Sequence, residues 1–254
     1  MRLIADCGNT SVKLAVAHDG GVWLQERLAA EPSAFDDFLR RHAGVDELVL
    51  LPAAATTAAV VVAWWSAAGG GRPLRRVGGD ITLPDVGQYP SFGLDRLAAG
   101  LGAVAQEQRS LVVVDCGTAT TFSAWQHVAG EPSRRGVRFL GGLILPGARA
   151  CSAGLAAQAP ALPVVEPWPV ASSALQRDTV GALGAALGIG YNAMVAACLA
   201  RLQADSGIPD VLVTGGNAGP LLGAALPRRT YRPTLVVEGV EVLAGPALSA
   251  RRGG

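Results

Sequence analysis

Two short segments of this chain carry the same set of phosphate-binding groups. Asp6-Cys7-Gly8-Asn9-Thr10 and Asp115-Cys116-Gly117-Thr118-Ala119-Thr120 each combine a carboxylate, a glycine and hydroxyl or amide side chains. Phosphate chains are held by backbone N–H groups, and glycine is required where the backbone approaches them closely or turns with positive φ. The hydroxyls and the amide add hydrogen bonds, while the carboxylate can orient a hydrated metal ion. Neither segment is a Walker loop or a dinucleotide-binding glycine fingerprint. One Asp-x-Gly turn could equally be a plain hairpin. Two such turns, 109 residues apart from Asp6 to Asp115, point to a duplicated nucleotide site. Thr214-Gly215-Gly216-Asn217 supplies a third glycine turn.

Lys13 stands close behind the first turn. It is the only lysine among 21 basic residues, the rest being arginine. A chain so committed to arginine keeps a lysine where a compact point charge fits and a planar guanidinium does not. The bland alternative is a solvated surface lysine.

The elements around these turns read as α/β. Arg2–Asp6 is a buried apolar strand that stops at the first turn, and Ser11–Ala17 and Trp23–Leu28 complete a three-stranded meander with a turn at 18–21. A helix around Phe35–His42 follows, then a short parallel-type strand at Leu48–Leu51, a helix over Thr56–Ala67 and a strand near Leu74–Val77. Gly93-Leu94-Asp95-Arg96 opens an Ala-rich helix ending near Gln108. The pattern then restarts: Ser110–Asp115 is again a buried strand with a glycine turn behind it. A polar, Arg-rich stretch (130–138), the run Gly141–Gly147, a proline-rich loop (160–169), a long Ala/Gly helix and the strand Val211–Val213 complete the second half. Leu235-Val236-Val237 reads as a final strand. Two domains are therefore expected, 1–108 and 109–254.

Composition narrows the function. Half of the residues are hydrophobic, 16% are charged, and the formal net charge is +1, which gives no electrostatic reason to expect nucleic acid or an acidic membrane as partner. Four dispersed cysteines without a CxxC pair and three scattered histidines argue against a zinc or haem centre and for reduced thiols in a cytoplasmic protein. Asp6 interrupts the first apolar run before a secretory signal could form. The uncharged stretches 48–71 and 179–200 are Ala-rich and broken by Pro, Gly and Thr, so they read as strand-plus-helix and core helix rather than membrane spans.

Five motifs occur in one order: Asp6–Thr10, Gly93–Arg96, Asp115–Thr121, Gly141–Gly147 and Thr214–Gly216. Over nearly the whole chain this succession resembles the type III pantothenate kinases. The resemblance implies two duplicated actin-like (ribonuclease H-like) domains with a nucleotide cleft between them. It also implies transfer of the ATP γ-phosphoryl group to pantothenate, giving 4'-phosphopantothenate in the first step of coenzyme A synthesis. The family works as a homodimer with Mg²⁺ and a monovalent cation, K⁺ or NH₄⁺.

Carried over by motif, Asp6, Cys7, Gly8, Asn9, Thr10, Ser11, Val12 and Lys13 surround ATP, together with Thr118. Asp95 is the general base. Tyr89, Gly93, Leu94, Asp95, Arg96 and Thr179 contact the substrate, and Asp115 holds the monovalent cation. Two departures stand out. Ser123 occupies a position where many family members have Asp, and the Tyr89–Asp95 spacing is shorter than usual. They keep two other readings open: a different actin-like small-molecule kinase, and a non-catalytic nucleotide-binding accessory protein.

Overall fold

The computed structural model describes residues 1–18, 21–130 and 136–245. Asp19 and Gly20 of the expected turn, Arg134 and Arg135 of the Arg-rich stretch, and residues 246–254 lie outside the described residues.

The chain forms two compact units. The first begins with strands β1 (Arg2–Cys7), β2 (Val12–His18) and β3 (Gly21–Leu28), an antiparallel meander. Helix α1 (Pro32–Arg41) leads to β4 (Glu47–Leu51), which pairs parallel with β1. Helix α2 (Ala55–Ala68) then returns the chain to β5 (Leu74–Arg76), giving the sheet order β3-β2-β1-β4-β5. Every residue of β1 and of β4 is buried, as expected of strands covered on both faces. Helix α2 has little amphipathic character in sequence, yet it buries Thr57, Ala58, Val61, Trp64 and Trp65, a stripe at helical spacing. Both tryptophans are core residues, and Trp64 packs edge-on to Phe35 at 5.2 Å. Helix α3 (Leu94–Glu107) begins at the Gly93 motif and is buried through most of its length.

The second unit repeats the pattern. Strand β6 (Leu111–Cys116) forms a hairpin with β7 (Ala119–His127), and β8 (Val137–Pro146) extends the sheet. Helices α4 (Ala148–Gln158) and α5 (Thr179–Ser206) precede β9 (Val211–Thr214), which pairs parallel with β6. The order β8-β7-β6-β9 thus reproduces β3-β2-β1-β4. Each hairpin pairs its aspartate one step before the turn: Asp6 faces Lys13 across β1–β2, and Asp115 faces Thr121 across β6–β7, the second turn being one residue shorter.

One segment differs from the sequence reading. Leu235-Val236-Val237 begins a helix, α6 (Leu235–Ala244), rather than a strand. It packs on α3 through glycines: a Cβ on Gly239 would lie 1.7 Å from the Ala98 carbonyl oxygen, and one on Gly102 would lie 2.7 Å from Leu235 O. Tertiary contact, not the β-branched composition, decides its conformation. The compact units interleave along the chain. The described residues of 126–139 and 234–245 group with those of 1–109, while 110–125 and 140–233 form the other unit.

Helix α5 is long and apolar enough to cross a bilayer by length and composition. One face, with Ala185, Gly188, Tyr191, Val195 and Leu199, is buried, and the last three join the core of the second unit. Val180, Ile189 and Met194 are exposed.

Candidate active site

The first glycine turn closes the β1–β2 hairpin. Gly8 N–H donates to Ser11 O at 3.1 Å, and the Thr57 hydroxyl of α2 donates to Gly8 O at 2.9 Å, so both strand and helix fix the turn. Asp6 is 3% exposed, and Lys13 Nζ donates to its Oδ2 at 2.8 Å. The two are cross-strand partners, which explains the spacing of seven residues. Asn9 and Thr10 at the tip are exposed, with polar groups available to a ligand.

Sequence reasoning missed a second cation here. Arg27 on β3 lies opposite Lys13, and its Nε donates to Ser11 Oγ at 2.8 Å. A strand-register argument carried one strand further would have found it.

The Gly93 motif begins α3. Gly93 is the N-cap, and Asp95 lies in the first turn, where a negative charge meets the positive end of the helix dipole. Asp95 Oδ1 accepts the Arg96 backbone N–H at 2.8 Å. Arg96 is not a surface ion-pair residue: it is 6% exposed, and its Nη1 donates to Tyr89 Oη at 2.9 Å. Burial lowers its pKa, partly opposed by the charge of Tyr89, the hydrogen bond to its hydroxyl and the charge of Asp95. Tyr89 and Arg96 are thus in contact despite the short loop between them.

In the second unit three glycine segments meet. The Gly117–Thr118 tip links β6 to β7. The final glycine of the Gly141–Gly147 run donates its N–H to Thr118 O at 2.9 Å, where a Cβ would sit 2.4 Å from that oxygen. Gly215, at φ +93°, presses on the end of β6: a Cβ there would lie 2.4 Å from Cys116 O and 2.5 Å from Asp115 Oδ1. Asn217 completes the junction, its backbone N–H donating to Cys116 O and its side chain to Gly117 O, both at 2.9 Å. Only glycine fits at 147 and 215, so these motifs have a steric reason to exist.

Beside this junction lies a cavity of about 230 Å³, lined by Gly117, Thr120, Trp168, Tyr191, Gly216 and Asn217 among others. At its floor the buried Thr120 hydroxyl and Tyr191 phenol share a 2.7 Å hydrogen bond. Trp168 lines the cavity and meets Tyr191 edge-on at 6.4 Å. Thr179 begins α5 and is exposed, and the helix cap is made by Asp178, whose Oδ1 accepts Gly181 N–H at 2.7 Å. The Thr179 side chain is therefore not serving as the cap.

Cys7 and Cys116 are buried beside their turns, and burial, aided by Asp6 and Asp115 respectively, pushes each thiol up to about 12. Neither is a reactive thiolate at neutral pH. Ser123, in mid-β7 opposite Val113, is 1% exposed. Among the described residues no group of three or more His, Cys, Asp or Glu gathers in the manner of a protein-caged metal. A magnesium ion held chiefly by substrate phosphates needs only one or two carboxylates, which Asp6 can satisfy.

The sequence profile of the type III pantothenate kinase family matches residues 79–201. A type III pantothenate kinase of Halorhodospira halophila is 32% identical, the alignment covering 94% of this chain and 96% of that protein. One from Nitratidesulfovibrio vulgaris is 30% identical, with 95% of each chain covered. Among solved structures, a Baf family transcriptional activator from Campylobacter jejuni shares the fold, with a TM-score of 0.52 at 19% identity over 95% of this chain and 96% of that one.

Proposed function

The chain belongs to the type III pantothenate kinase family, and from that premise we propose that it transfers the γ-phosphoryl group of ATP to the hydroxyl of pantothenate. That reaction gives 4'-phosphopantothenate and opens coenzyme A synthesis. The observation that carries the reading is the Asp6–Lys13 pair at the end of β1, repeated in topology by Asp115 at the end of β6. Each strand-end turn is of a design that suits the phosphates of a nucleotide.

In this reading residues 6–13 and Thr118 bind ATP. Lys13 and Asp6 set the charge around the β- and γ-phosphates, Asp6 also serving as the Mg²⁺ carboxylate. Held there, the ion would supply neutralisation of the charge that develops on the phosphates. Asp115 would hold a monovalent cation, K⁺ or NH₄⁺: its Oδ1 is packed against the Gly215 turn, and a carboxylate oxygen suits a hard cation. Asp95 takes the proton of the attacking hydroxyl. Arg96, Tyr89, Gly93, Leu94 and Thr179 hold the substrate.

The exposed apolar side chains of the second unit, including Ile144, Leu175, Val180, Ile189 and Met194, favour a homodimer contact there. Cytoplasmic residence, without membrane or nucleic-acid partners, accords with this assignment.

A coupled assay for ADP release, run with and without pantothenate and potassium, tests the proposal. ADP release should depend on pantothenate and rise with potassium. Nucleotide binding without pantothenate-dependent turnover would leave an accessory protein. Turnover with another acceptor alone would leave a different small-molecule kinase.

Lys13→Arg should lower kcat/KM for ATP about tenfold although charge is kept, because the larger planar guanidinium, even when paired with Asp6, does not place a compact point charge where the ammonium sits. Steady-state kinetics with ATP varied measures it. A wild-type value would return Lys13 to the surface-lysine reading.

A further inference from the structure

The guanidinium of Arg96 is enclosed by aromatic rings that no motif announced. It lies 4.9 Å from the Phe92 ring centroid and 5.2 Å from that of Phe139, with the Tyr89 hydroxyl bonded to Nη1. The rings also pack on one another: Phe92 meets Phe139 at 4.7 Å and Tyr89 at 5.1 Å, both edge-on. Phe139 belongs to β8, far downstream, and its backbone N–H donates to Val86 O at 2.7 Å. One hydrogen bond and one ring thus fasten the loop before α3 from outside its own sequence.

Such a box does two things. Ring faces attract a cation, and they exclude water that would otherwise solvate and loosen it. A guanidinium so oriented keeps its planar fork in one direction, and that fork matches the paired oxygens of a carboxylate. A neutral hydroxymethyl group in the same place gains little from it.

We infer that Phe92 and Phe139 are positioning residues that hold Arg96 as the reader of a substrate carboxylate, so that the enzyme selects a hydroxy acid over the corresponding neutral alcohol. The inference rests on the reading of Arg96 as a substrate-holding group.

The test compares two acceptors, pantothenate and the analogue whose carboxylate is reduced to a primary alcohol, on the full chain and on Phe139→Leu. The unaltered chain should prefer the acid. Phe139→Leu should raise KM for the acid about tenfold with a much smaller change in kcat, and cost the alcohol about twofold. Phe139→Tyr, which keeps the ring, should restore most of the preference. If Phe139→Leu does not fold, Phe92→Leu provides the same comparison. Equal losses on both acceptors, or none, would show that the rings merely support the fold and would overturn the inference alone. No turnover of either acceptor by the unaltered chain would instead sink the kinase reading, and the inference with it.

Discussion

Asp95→Asn should lower kcat by about a thousandfold while the affinity for ATP stays within about twofold. The substitution is nearly isosteric. Asp95 Oδ1 accepts the Arg96 backbone N–H at 2.8 Å, and an asparagine side-chain oxygen can accept the same bond, so the start of α3 should survive. What disappears is the basic carboxylate.

The size of the loss discriminates between mechanisms. Phosphoryl transfer depends mainly on positioning and charge neutralisation, so a dispensable base would cost at most about tenfold. A base that must take the hydroxyl proton as the bond forms costs two to four orders of magnitude, roughly. Steady-state kcat together with nucleotide titration would measure both quantities. A kcat within tenfold of wild type would remove Asp95 from the base role.

The features that were legible in the sequence are those whose determinants are local. The turns at Gly8 and Gly117 follow buried strands, and glycine, Asn and Thr at a strand end mean the same thing wherever they occur. The repeat of Asp-Cys-Gly then revealed the duplication that the sheet orders display.

What escaped was set by partners far apart in the chain. Leu235–Val237 has strand composition, but Gly102 and Gly239 let α6 lie directly against α3, and that contact makes it a helix. Phe139 reaches Arg96 across 43 residues, and nothing in its own neighbourhood indicates that. Arg27 joins the first turn only because β3 pairs with β2 in one register. Trp168 packs against the core of the second unit and also lines the cavity, a second role that composition does not encode.

The same limit applies to the ion cluster that fastens α6, which suggests the largest effect on stability. Glu47 is fully buried and bonded to two arginines, Arg2 Nε at 2.9 Å and Arg75 Nε at 2.9 Å. Arg2 also pairs with Glu241 of α6 and donates to Gly245 O at 2.9 Å, while Arg75 Nη1 donates to Ala244 O at 3.3 Å. Two cations and two anions therefore balance, and both cations grip the last turn of the helix that packs on α3.

Glu47→Gln would keep the shape and leave the buried Arg2 and the partly buried Arg75 guanidinium groups with one carboxylate. Removing one partner of a buried ion pair costs about 3–5 kcal/mol, because the stranded charge has lost both water and counter-ion. Denaturant unfolding at neutral pH should show a loss of that order, with α6 contributing to it. The pH dependence supplies an independent check. Burial raises the Glu47 pKa, but the bonds to Arg75 and Arg2 outweigh it and hold the carboxyl below its ordinary 4.5. A group depressed on folding stabilises fully above its unfolded pKa, and that stabilisation fades as pH falls through the folded value. The gap between wild type and Glu47→Gln should accordingly be constant near neutrality and narrow below pH 4.5. A loss under about 1 kcal/mol, the level of an exposed pair, or a gap unchanged on acidification, would mean that α6 is held by the glycine contacts with α3 alone.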